Sequence, residues 1–167
     1  MKALQIVKYG EIKDSLAFNE VSKPTVQASD VLIEVKAAAI NPIDKSIILG
    51  NLKGMIPIPF PSTLAYDVSG IVVEKGNDVS NLEIGDLVYA RVPQEQMGTI
   101  AEYVAVKSIA VSKKPGNITF EEAASLPLAG LTALQSLEYA AIKKGDKVLI
   151  HAGSGGVGSL AIQYAKA

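Results

Sequence analysis

The residues best suited to chemistry lie near the C-terminus, in HAGSGGVGSLAIQYAKA, residues 151–167. Gly153-x-Gly155-x-x-Gly158 has the GxGxxG spacing. The first glycine allows a tight turn out of a strand, the second lets a pyrophosphate approach the backbone, and the third lets strand and helix pack closely. The helix that follows offers unpaired N–H groups and the positive end of its dipole to phosphate oxygens. The apolar run Lys147–His151 before the loop is expected to be the strand, and a helix is expected from about Val157. In that context Gly153, Gly155, Gly156, Val157 and Gly158 are the expected dinucleotide-binding residues. The alternative is a glycine-rich turn that binds nothing. A further residue roughly 20 positions on, acidic for NAD or basic for NADP, would complete the fingerprint, and the sequence stops at Ala167. One strand and one helix do not cover both faces of a parallel sheet. The expectation is therefore the first half of a larger protein, with residues 1–167 alone lacking turnover.

Other chemistries are narrowed by composition. There is no cysteine, hence no disulfide, thiol nucleophile or thiolate metal site. The single histidine, His151, is read as an end-of-strand residue. A net charge of −1 and a pI of about 5.9 argue against nucleic acid or an anionic membrane as partner. No run approaches the ~20 apolar residues of a membrane span. The N-terminus, MKALQIVKYGEIKD, has no long apolar signal region, so a cytoplasmic location is expected.

The elements that must position the loop come in two kinds. Up to about residue 110, short strands alternate with turn signals: Lys2–Val7, Asp30–Ala38, Ser69–Glu74, LVYARV from Leu87, and Thr99–Val106. In Asp30–Ala38, Val31, Ile33 and Val35 should share one face and Leu32, Glu34 and Lys36 the other. Asn41-Pro42-Ile43-Asp44 opens a short helical or looped stretch ending near Gly50. Residues 55–61 contain three prolines and should be extended and irregular. Many short strands at near-regular spacing favour a small β-barrel or sandwich. The pattern changes near Pro115-Gly116. Thr119 and Glu122 have the capping-box spacing, a short helix follows up to Pro127, and Leu128–Ala141 reads as a second helix. This predicts a division into residues 1–118 and 119–167.

Several segments occur together in order: AAINPID (38–44), PSTLAYDVSGIVVEKG (61–76), GDLVYA (85–90), GTIAEYVAV (98–106) and LPLAGLTAL (126–134). The tail adds Gly145-Asp146, Leu149, Gly155-Gly156, Gly158, Gln163 and Lys166. With these residues the chain resembles the medium-chain dehydrogenase/reductase superfamily, in its quinone oxidoreductase (zeta-crystallin-like) branch, over essentially its whole length. Gly153 stands where that branch usually has Ser or Ala. The resemblance implies a mixed fold, a GroES-like β-barrel catalytic domain followed by the hinge helices and first βα unit of a Rossmann α/β domain. It implies NADPH as cofactor, a small-molecule quinone or enone as partner, and a homodimer as an option for a chain of full family length.

Zinc-dependent members have Cys where this chain has Asn41, and a His-Glu pair where it has Tyr66-Asp67; the four-cysteine zinc lobe is missing. Asn and Tyr are poor zinc ligands, so the expected metal complement is none. Without a Lewis acid, carbonyl reduction loses its main assistance, whereas a quinone or conjugated C=C needs less, the enolate-like charge being met by hydrogen bonds and a proton from Tyr or water. The resemblance places Asn41 in the cleft beside the nicotinamide, Asp44 and Lys45 at the loop or substrate mouth, Tyr66 facing the cleft with its hydroxyl toward a substrate oxygen, and Thr132 near the nicotinamide amide. The plainer readings are a loop Asn before Pro, a solvated Asp/Lys pair, a packing tyrosine, and a helix Thr bonded to its own backbone. The expected activity is zinc-independent, NADPH-dependent reduction of quinones or conjugated enones and alkenals. The alternatives are a zinc-free alcohol or enoyl-thioester reductase of the same superfamily, and a non-catalytic crystallin- or chaperonin-like structural protein.

Overall fold

A computed structural model describes residues 1–167. Its strands are β1 (Lys2–Ile6), β2 (Leu16–Glu20), β3 (Asp30–Ala39), β4 (Ser62–Thr63), β5 (Asp67–Lys75), β6 (Leu87–Arg91), β7 (Tyr103–Lys107) and β8 (Val111–Lys113). The helices are α1 (Ile12–Ser15), α2 (Pro42–Ile48), α3 (Phe120–Ala124), α4 (Pro127–Tyr139) and α5 (Gly156–Lys166). The strands form two antiparallel sheets, β2-β1-β4 and β7-β3-β5-β6-β8. The ring of strands does not close by a continuous ladder. Residues 98–102 bridge the gap instead: Leu4 N–H donates to Ile100 O, Ile100 N–H to Leu64 O, and Val35 N–H to Glu102 O. The strand expected over Thr99–Val106 is therefore shorter. Its first half crosses between the sheets, and only 103–107 pairs along β3.

Eighteen buried residues, all between Ile6 and Val111, form the core, with Ile6, Val31, Ile33, Val68, Val88 and Val106 fully enclosed. The expected alternation in β3 fails at its start, where Val31, Leu32 and Ile33 are all buried. β3 is an inner strand between β5 and β7. The side away from the core is covered by α3, which packs against β3 and β5 and buries Ala123 and Ala124. That helix starts as the sequence predicts: Thr119 Oγ1 accepts from Glu122 N–H at 3.2 Å and the Glu122 carboxylate accepts from Thr119 N–H at 2.8 Å.

One expected strand is not formed. Lys147–Ile150 has no strand assignment, and Val148 and Leu149 are exposed. A strand exists through its pairing, and none of the eight strands pairs with this segment. No helix is long and apolar enough to cross a membrane.

Candidate functional site

A cavity of about 560 Å³ lies between the start of α2, one face of α4 and the loop opening α5. Asn41 and Pro42 form one wall, Ala129, Ala133 and Ser136 the second, and His151 with Gly155–Gly158 the third. It is mostly apolar with a few convergent polar groups, the usual character of a small-molecule site.

The second half of the glycine loop opens α5 as its spacing requires, without a paired strand before it. Gly155 precedes α5 with extended dihedrals, φ −81° and ψ 169°. The N–H groups of Gly156, Val157 and Gly158 stand in the first turn of an eleven-residue helix, where no helical carbonyl accepts them. Gly158 is sterically obligatory: a Cβ there would lie 2.2 Å from the Ala152 carbonyl oxygen, whereas at Gly156 it would make an ordinary 3.7 Å contact with Ala129 Cβ. The loop lies close to Ala152, with donors free along its rim, and so fits a pyrophosphate. Gly153 does not line the cavity; it packs under α5, where a Cβ would lie 3.0 Å from Ile162 Cδ1.

The opposite wall is organised by two buried carboxylates. Asn41 is the N-cap of α2, and Asp44 closes the capping box by accepting from Asn41 N–H at 2.7 Å. Asp44 is fully buried and its other oxygen has no partner. Burial raises its pKa, with the Asn41 hydrogen bond opposing. Asp44 thus shapes the loop from beneath and does not stand at a substrate mouth. The Asn41 side chain donates through Nδ2 to Asp67 Oδ2 at 2.9 Å. Asp67, also fully buried, accepts the N–H of Leu128 in the first turn of α4, at 3.0 Å to Oδ1 and 3.3 Å to Oδ2. Burial pushes the Asp67 carboxyl up to about 6, against the hydrogen bonds from Asn41 and Leu128; Asp44 pushes the same way and Arg91 opposes.

Two further expected positions are corrected. Tyr66 does not face the cleft: it is 1% exposed, belongs to the core cluster and lines no part of the cavity. β5 starts at the next residue, and Tyr66 sits where the chain enters the core, with the Arg91 guanidinium 5.2 Å from its ring centroid. Burial raises its pKa, Asp44 adding to the effect and Arg91 opposing, and its hydroxyl has no partner. Thr132 is exposed on α4, outside the cavity lining, and donates to Leu128 O at 2.7 Å, the helix-internal bond. Ser136, one turn on, lines the cavity in its place. Of the predicted set, the structure brings together Asn41, Gly155, Gly156, Val157 and Gly158. The sequence reading missed Asp67, treating it only as the counterpart of a metal ligand, and Ser136, which has no motif of its own. Nowhere do three or more His, Cys, Asp or Glu side chains gather as a metal-binding group.

The alcohol dehydrogenase GroES-like domain matches residues 27–116, more than half of the sequence. The chain belongs to that family. A 2-methylene-furan-3-one reductase of Solanum lycopersicum is 41% identical over 99% of this chain and 44% of its own length. A chloroplastic NADPH-dependent alkenal/one oxidoreductase of Arabidopsis thaliana is 40% identical over the same shares. Among solved structures, the quinone oxidoreductase of Coxiella burnetii superposes with a TM-score of 0.88 at 43% identity, over 99% of this chain and 53% of its own. This GroES-like chain spans about half the length of the relatives it matches.

Proposed function

We propose that this chain provides the barrel domain, residues 1–118, and the hinge and phosphate-binding loop, residues 119–167, of an NADPH-dependent oxidoreductase that reduces quinones or conjugated enones and alkenals. One observation carries the reading: the Gly155–Gly158 helix start and the Asn41 loop of the barrel line a single apolar cavity. When bound, NADPH supplies a hydride to an electron-poor carbon of the substrate, and the enolate-like charge is quenched by a proton from water. The chain's own part is to hold the pyrophosphate on the N–H groups of Gly156, Val157 and Gly158, and to place the Asn41 amide where a polar edge of nicotinamide or substrate can meet it. The names of the relatives support this substrate class.

Zinc independence is part of the proposal and follows from the donor set. Asn41 is engaged with Asp67, the Tyr66 phenol is enclosed with a raised pKa, and the Asp67 carboxylate already caps α4. The cytoplasmic expectation is kept only as a reading of the cysteine-free composition, and the Arabidopsis relative is chloroplastic by name. Residues 1–167 alone are expected to lack turnover. The test is NADPH oxidation by the protein that carries this chain, with quinones, conjugated enones and saturated aldehydes, with and without a chelator. Consumption that requires a quinone or enone and ignores the chelator is expected. Turnover of saturated aldehydes that the chelator abolishes would overturn the assignment.

A further inference from the structure

Asp67 lines no wall of the cavity, yet its side chain joins two of the three walls. It opens β5, bonds the N-cap residue of α2, and accepts the first-turn N–H of α4. The two walls of the cavity nearest the barrel, Asn41–Pro42 and Leu128–Ala133, are thus tied through a single carboxylate. We propose that Asp67 is the positioning residue of this site: its buried carboxylate fixes the rotation of the Asn41 amide and the start of α4, and so sets how these two walls meet whatever occupies the cavity.

The argument is one of hydrogen-bond valence. An ionised carboxylate only accepts, so it draws Nδ2 of Asn41 toward itself and leaves Oδ1 facing the Asp44 N–H in the capping box of α2. A protonated carboxyl carries one O–H donor and favours the flipped amide, in which Nδ2 would meet the Asp44 N–H and the Asn41 side-chain cap of α2 would be lost. The charged and titratable groups facing Asp67 are Asp44 from α2, which favours the protonated form, Arg91 from β6, which favours the ionised form, and the neighbouring Tyr66. α4 contributes the Leu128 N–H and no acidic residue in its first turn. The balance leaves the carboxyl with a pKa of about 6, so both rotations fall within the ordinary pH range. The inference rests on the proposed dinucleotide site only for the identity of the occupant.

The test is an NMR experiment on the isotopically labelled chain, following the Asn41 side-chain amide with pH, followed by titration with NADPH. In the native chain the amide should be protected from exchange and shift with a midpoint near pH 6. Asp67→Asn, which keeps the shape but cannot ionise, should remove the pH response. Asp67→Ala should expose the Asn41 and Leu128 amides to exchange and weaken the NADPH response of Gly156–Gly158 by about tenfold, a loss expected for one charge-assisted bond. In an Asn41→Ala background, Asp67→Asn should have no further effect on that response. An Asn41 amide that titrates equally in the native chain and in Asp67→Asn, or that stays protected in Asp67→Ala, overturns the proposal. If Asp67→Ala does not fold, the pH response of Asp67→Asn decides. If the native chain gives no NADPH response, the dinucleotide reading fails while the Asn41 amide still decides the role of Asp67.

Discussion

The barrel and the C-terminal helices bury different kinds of residue. In the barrel the enclosed side chains are large and branched: Ile6, Leu32, Ile33, Ile47, Leu64, Val68 and Val88. From α3 onward the enclosed residues are Ala123, Ala124, Pro127, Ala129, Gly130, Ala133, Gly158 and Ala161, while Leu131, Leu134, Tyr139 and Leu149 are exposed. The first region uses its apolar bulk for its own core. The second uses small residues to let α4, α5 and the glycine loop approach one another, leaving its bulk at the surface. The large enclosed side chains lie in the barrel, and the proposed binding cavity lies between it and the helices, with Asp67 at the junction.

That contrast can be broken most strongly in the core. Ile33→Ala should cost roughly 2–5 kcal/mol by urea denaturation, the range for a fully enclosed side chain whose cavity cannot collapse. A loss below about 1 kcal/mol would contradict the core assignment. The next effect is at the junction. The Asp67 carboxyl titrates at about 6 in the fold against an ordinary 3.8. Its protonated form is the one the fold favours, so its contribution is complete below pH 3.8 and is lost as pH rises through about 6. The loss is up to about 3 kcal/mol. Subtracting the stability of Asp67→Asn from that of the native chain across pH 4–7 isolates it; a difference that is flat or rises with pH contradicts the assignment.

The remaining changes sharpen the comparison. Gly158→Ala should distort the loop at a local cost of about 1–3 kcal/mol, because the Ala152 carbonyl must move. Gly156→Ala should be accepted, and comparing the amide spectra of the two variants checks this. Thr119→Ala removes the cap of α3 and should cost about 1 kcal/mol in the same denaturation experiment. Leu149→Ala, at an 81% exposed position, should change stability by no more than about 0.5 kcal/mol.

What could be read in the sequence was local. The Thr119/Glu122 box, the glycine spacing and the short helix after Asn41 each depend on residues within one or two turns, and all three are present. What could not be read depends on distant pairing. β4 is two residues long and exists because it meets β1; residues 99–102 leave the strand pattern because their carbonyl and amide partners lie on Leu4, Leu64 and Val35. Tyr66 and Asp67 are adjacent in sequence, and only the folded chain separates them into a core residue and a site residue. The partners of Asp67 lie 26 and 61 residues away, and no spacing rule connects them. Ser136 is on a cavity wall only because α4 packs where it does.

The central claim is that the start of α5 and the Asn41 loop form one dinucleotide site. Its most direct test is titration of the labelled chain with NADPH, following backbone amides residue by residue. Saturable shifts at Gly156, Val157, Gly158 and Asn41, lost in Gly158→Ala and kept in Gly156→Ala, are the expected result. Shifts that avoid these residues, or that are indifferent to Gly158→Ala, would contradict the account.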